Sequence, residues 1–161
     1  MRLTEAGPTV HHSTFVLERA YPVAPDRVFS AFSDPVQKRR WYTGGRSMDV
    51  EQFEMDFRIG GHDRALYRFQ PGTPFPGTPI LYQTAYQDIV PGRRIVFAYS
   101  VTLGDRRIST SLATFEFLPS ATGSNLVFTE QGAFFEGADG PEMRAAGWRS
   151  LLDRLAQDLA A

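Results

Sequence analysis

Residues 141–159, PEMRAAGWRSLLDRLAQDL, decide how this chain folds. Their large apolar side chains are Met143, Trp148, Leu151, Leu152, Leu155 and Leu159. That three–four spacing puts them on one face of a helix. Upstream, from about Val50 to Phe135, the pattern changes to short, alternating, aromatic-rich segments separated by Gly and Pro, the signature of antiparallel strands. A single long helix after such a run buries its stripe on the concave face of a curved sheet. That packing readily leaves a cavity.

Before the strands, Ser13 to Tyr21 alternates as a first strand, which Pro22 and Pro25 stop. Pro25-Asp26-Arg27 opens a short helix with Val28, Phe29 and Phe32 on its apolar side. Asp34-Pro35 caps and starts a second helix, which ends at Trp41-Tyr42 before a Gly44-Gly45 turn. Strands are expected over Met48–Ile59, His62–Gln70, Ile80–Val90, Arg93–Leu103, Arg107–Leu118 and Asn125–Phe135. The proline-rich stretch PGTPFPGTP, residues 71–79, is a loop placed at the cavity mouth. Asp139 is the expected cap of the final helix and Pro141 its first residue. The fold class is therefore α+β: a curved antiparallel sheet of about seven strands, two short helices after the first strand, and a long C-terminal helix. Residues 1–12 are expected to be a flexible leader, and 13–161 one domain.

Eighteen acidic against seventeen basic residues leave a net charge of −1, so no global field draws the chain to nucleic acid or an anionic membrane. The absence of cysteine excludes disulfides, thiolate metal sites and cysteine nucleophiles. No apolar run approaches the ~20 residues that span a bilayer. A cytoplasmic location is the expectation, and a homodimer is the default assembly. The 13 Phe, 6 Tyr and 2 Trp exceed what many small cores use, which leaves some of them to line a binding space.

Four segments carry a resemblance. Residues 19–29, RAYPVAPDRVF, run a strand into an A-P-x-x-V-F helix start. Asp34-Pro35 is followed by Trp41-Tyr42, Arg58-Ile59-Gly60-Gly61 forms an R-x-G-G hairpin, and Gly147-Trp148 precedes Leu151-Leu152-Asp153-Arg154-Leu155. In this order they resemble the START-like and Bet v 1-like (SRPBCC) superfamily, and within it the bacterial branch similar to the C-terminal domain of the Hsp90 ATPase activator (AHSA1-like). The resemblance covers about residues 14–160. It implies a helix-grip fold with a deep pocket between sheet and helix for hydrophobic small molecules. Some members of the superfamily are enzymes, others only bind, and eukaryotic relatives touch the chaperone Hsp90, so membership does not select a function.

On Leu126-Val127-Phe128-Thr129-Glu130, strand parity turns Leu126, Phe128 and Glu130 the same way. A carboxylate on an apolar face is a polar hook or a base with a raised pKa, the bland alternative being a pair with Arg64 or Arg144. Alternating aromatic pairs, including Tyr67 with Phe69, Tyr82 with Tyr86, and Phe97 with Tyr99, are mostly core. Tyr67, Tyr82 and Tyr99 are the stronger pocket candidates, because a solid interior disfavours hydroxyls. The candidate ligand-binding set is Phe32, Trp41, Tyr42, Tyr67, Phe69, Tyr82, Phe97, Tyr99, Phe128, Glu130, Met143, Trp148 and Leu151, with Glu130 the only weak catalytic candidate. On the helix stripe no acid, base or nucleophile is expected. His62 and Asp63 are neighbours on opposite strand faces and make no dyad. His11-His12 is read as a solvated pair in the leader, and Lys38-Arg39-Arg40 as a solvated helix face too short for nucleic acid. No metal or cofactor is expected. The leading reading is binding of a small hydrophobic or aromatic molecule. The alternatives are a low-motif cyclase, aromatase or hydrolase, or a chaperone-type interaction module.

Overall fold

The computed structural model describes residues 9–43 and 47–161, so the Gly44-Gly45 turn and residues 1–8 of the leader lie outside the described residues. The elements run β1 (His11–Tyr21), α1 (Pro25–Ser33), α2 (Pro35–Tyr42), β2 (Met48–Met55), β3 (His62–Phe69), β4 (Pro79–Val90), β5 (Arg94–Leu103), β6 (Arg106–Ser120), β7 (Gly123–Phe134) and α3 (Pro141–Ala160). All strands join one curved antiparallel sheet in the order β1-β7-β6-β5-β4-β3-β2. Consecutive strands from β2 to β7 are neighbours, as short turns dictate. β1 instead pairs with β7, Leu17 opposite Phe128, and α1 and α2 carry the chain from that edge to the other. This is the α+β helix-grip architecture.

Local chemistry explains the short helices. Pro25 and Pro35 each open one, where the missing N–H is no loss. Asp34 Oδ1 accepts from Val36 N at 2.9 Å and so caps α2. Four boundaries differ from the sequence reading. β1 begins at His11, so His11 and His12 pair with Phe134 and Ala133 rather than belonging to a leader. β2 stops at Met55 because Phe57 turns away to pack on Phe29 and Tyr86, with centroids 5.8 and 5.0 Å apart. In the turn that follows, Gly60 has φ +81°, whereas Gly61 is needed for closeness: a Cβ there would lie 2.1 Å from the Asp56 carbonyl. Finally, α3 is capped by Gly140 with no side-chain bond, since Asp139 is turned to Arg144.

The core fills the concave face. Phe115 and Phe128 stack at 4.4 Å, and Trp148 lies 4.6 Å from Phe128 and 5.6 Å from Phe115. On α3 the buried face is Arg144, Ala145, Trp148, Leu152, Leu155 and Leu159, with Leu151 partly buried. Met143 does not belong to it and is 66 % exposed. At about 100° per residue, Met143 sits more than a third of a turn round from that face, and Arg144 takes the inward position instead.

Leu152 and Leu155 are fully buried. Leu155→Ala is expected to lower unfolding free energy by about 2–5 kcal/mol in urea titrations, and Met143→Ala to change it by less than about 0.5 kcal/mol. Equal effects would refute this orientation of α3.

Candidate functional site

The parity of β7 brings Leu126, Phe128 and Glu130 inward together, all 1 % exposed or less. Glu130 Oε1 accepts from Tyr99 Oη and, at 3.2 Å, from Trp148 Nε1. Arg144 extends the cluster, donating to Tyr99 Oη at 3.1 Å and to Ser109 Oγ at 2.8 Å. Both Asp139 oxygens hold the same guanidinium, at 2.9 and 2.8 Å. Arg144 thus reaches Glu130 through Tyr99, while Arg64 bonds Gln52 and takes no part. The stripe of α3 therefore does carry polar groups, an arginine and an indole N–H, which a pattern of large apolar residues passes over.

Burial pushes the Glu130 carboxyl above its ordinary range, against the pull of Tyr99, Arg144 and Trp148. Its Oε2 is fully shielded and has no partner among the described residues. The Tyr99 phenol is raised as well, first by burial and then by Glu130, with Arg144 opposing. This is an acid held protonation-prone behind other side chains, not one exposed to a substrate.

A second buried cluster sits under α2. Lys38 Nζ bonds Asp63 Oδ2 at 3.0 Å, and Tyr86 Oη donates to the same oxygen. The ammonium also lies 5.1 Å from the Tyr42 ring centre and 5.8 Å from that of Phe97. Lys38 is 5 % exposed, so it is no part of a solvated face; Arg39 and Arg40 are. The signal was its place three residues before Trp41, on the same side of the helix. His62 is exposed while Asp63 is buried, so the two face apart.

The remaining candidates separate into two groups. Phe32, Trp41, Phe97, Tyr99, Phe128 and Trp148 are in the packed core, with Trp41 Nε1 tied to the Ala31 carbonyl at 2.9 Å. Tyr42, Phe69, Tyr82 and Leu151 are partly buried at its margin, next to buried Tyr67. Tyr67 and Tyr82 meet edge to face at 5.6 Å, and Tyr42 lies 6.3 Å from both Phe53 and Trp148. Burial raises all three phenols, Tyr82 to about 12, and each of Tyr42 and Tyr67 lies in the field of Tyr82. Tyr21, Tyr86 and Tyr99 have hydroxyl partners. Among the described residues the Tyr42, Tyr67 and Tyr82 hydroxyls have none, and they are not among the fully shielded orphan atoms. The surface recesses lie elsewhere. One is around Thr14, Leu112 and Gln131 on the outer sheet face, and the other is around Asp26, Arg93 and Glu116. Among the described residues no cluster of His, Asp or Glu is placed to hold a metal, and no helix is long and apolar enough to cross a membrane.

The profile of the family described as Activator of Hsp90 ATPase homolog 1-like protein matches residues 22–160. Among solved structures, a protein from Rhizobium loti is 44 % identical, covering 94 % of this chain and 99 % of its own, with a TM-score of 0.82. An uncharacterized protein from Rhizobium leguminosarum is 36 % identical over 94 % and 96 %, with a TM-score of 0.85. An AHSA1-like protein from Aeromonas hydrophila shares the fold at 16 % identity, over 92 % of each chain, with a TM-score of 0.65. No protein of curated function matches the chain.

Because folding raises the Glu130 pKa, its contribution to stability is whole below the ordinary carboxylate range and is lost as pH rises through the folded value. Glu130→Gln keeps an acceptor for Tyr99 and Trp148 but cannot ionise. Its stability relative to the parent is therefore expected to rise between about pH 4 and 8, followed by chemical denaturation at each pH. A difference that stays flat with pH refutes the assignment.

Proposed function

The chain belongs to the Activator of Hsp90 ATPase homolog 1-like family, and from that premise we propose that it binds a small hydrophobic or aromatic molecule between α3 and the β3–β4 end of the sheet. The observation that carries this is the trio of hydroxyls on Tyr42, Tyr67 and Tyr82, gathered at the margin of the core without protein partners. An interior group left unsatisfied costs about 1–3 kcal/mol, and phenylalanine would fill the same volume without that cost. Apolar walls with a few convergent hydroxyls are the makeup of a small-molecule site. Phe53, Phe69 and Leu151 supply apolar surface there, and the Trp148–Phe128–Phe115 stack supplies a solid floor. The space is thus one end of the sheet–helix interface rather than its whole length.

Binding is favoured over acid–base catalysis because Glu130 is 1 % exposed and lies behind Tyr99 and Trp148. A reacting group must touch its substrate, and this one touches only protein.

Native mass spectrometry of the purified chain tests the reading. A co-purified molecule of a few hundred daltons is expected, lost on denaturation. In the triple variant Tyr42→Phe, Tyr67→Phe, Tyr82→Phe, the affinity for that molecule should fall by about tenfold, near 1.4 kcal/mol, with the fold retained. A protein that carries no ligand and gains no thermal stability from any member of a small-molecule library would sink the proposal.

A further inference from the structure

We propose that the ligand carries one anionic group, a carboxylate, sulfonate or phosphate, and that Arg154 of α3 receives it beside Tyr67. This rests on the binding reading above and names the ligand class for the same site.

Gly147, Leu151, Arg154 and Asp158 follow one another at four, three and four residues, a single line along α3. Asp158 fixes where that line faces. It accepts from Arg40 of α2 at 2.8 and 3.3 Å, so the line looks toward α2 and the tyrosines beyond its end. One turn earlier comes Arg154. It is partly buried, and its guanidinium lies in the field of the Tyr67 phenol. Arg39, over the Phe53 ring at 5.9 Å, lies in the same field from the α2 side.

The acids near this space are already committed. Asp158 is held by Arg40, Asp63 by Lys38 and Asp139 by Arg144. Among the described residues neither Arg154 nor Arg39 has a carboxylate partner. A guanidinium withdrawn from water without acceptors is unfavourable, and desolvation lowers the Arg154 pKa. Its planar fork matches the paired oxygens of a carboxylate, sulfonate or phosphate. Two spare cations next to three spare hydroxyls describe an apolar-bodied ligand with a charged end. The hydroxyls meet the body and the guanidinium meets the end.

Gly147 supplies an independent observation on the same line. A Cβ there would meet nothing within 4 Å, so the helix leaves open space at that point. Glycine in a helix interior costs about 1 kcal/mol relative to alanine, and no backbone crowding here demands it. The gap is one turn from Leu151, at the margin of the tyrosine space.

Two dyes with the same ring skeleton test the inference on the full chain by fluorescence titration. 8-Anilinonaphthalene-1-sulfonate carries the anion and N-phenyl-1-naphthylamine lacks it. The sulfonate dye is expected to bind at least about tenfold tighter. Arg154→Gln should erase that advantage while leaving the neutral dye unchanged. Arg154→Lys, which keeps the charge, should retain part of it and guards against a folding artefact. Gly147→Trp, which fills the gap, should weaken both dyes. Equal affinity for the two dyes in the parent, or no response to Arg154→Gln, overturns the anionic ligand and leaves the binding site standing. Failure of both dyes to bind overturns the site and this inference together. If Gly147→Trp weakens neither dye, they bind elsewhere, and the assignment to Arg154 is overturned.

Discussion

Trp148 lies where the middle strands and α3 meet, its ring packed on Phe128 and Phe115 and 6.3 Å from Tyr42. A buried indole needs an acceptor for its N–H, and nothing aliphatic supplies one. The sheet answers with Glu130 and Tyr99, and each of those groups then needs support of its own. Arg144 and, behind it, Asp139 provide it, closing a chain of charge and hydrogen bonds that starts and ends on or beside α3. The seating of the helix, the elevated Glu130 pKa and the solid floor of the interface all follow from placing that one ring.

The second buried cluster works in the same way at the other short helix. Lys38 pins α2 to the sheet through Asp63 and Tyr86, with aromatic faces replacing the water the ammonium has lost. Removing one member of such a pair costs several kcal/mol, because the other is left charged and unpartnered. With α2 held by Lys38 on one side and by Arg40–Asp158 on the other, the space between it and the β3–β4 end is framed by fixed elements. Polar groups in the frame are matched among themselves. The tyrosine hydroxyls and Arg154 are the ones left over, and function is assigned to what is left over.

Much of the architecture was legible because it rests on local chemistry. The strand order, the two proline-started helices and the Asp34 cap come from residues that act within a few positions of themselves. Glu130 stood out on parity alone, since a strand has only two faces. Its partner was harder to see. Both Arg64 and Arg144 fitted the charge, and only the position of Tyr99 showed that the link is indirect. Met143 and Arg144 show where hydropathy misleads. The larger apolar residue points to solvent and the arginine points in, because a cluster of acids and hydroxyls awaits it. Lys38 was misplaced for the same reason, its acid lying 25 residues away on β3.

By itself the sequence determined the periodicities: which segments are strands, which stripe of the last helix is apolar, and that a sheet must wrap it. Those are properties of neighbours along the chain, set by the 2- and 3.6-residue repeats of the backbone. Only the tertiary structure decided how far the interface is filled and which polar groups are satisfied within it. It packed Trp41, Phe97 and Phe128 into the core, and left Tyr42, Tyr67 and Tyr82 with free hydroxyls at its edge. Burial and pairing depend on groups brought together from distant positions, and no repeat along the chain records who meets whom.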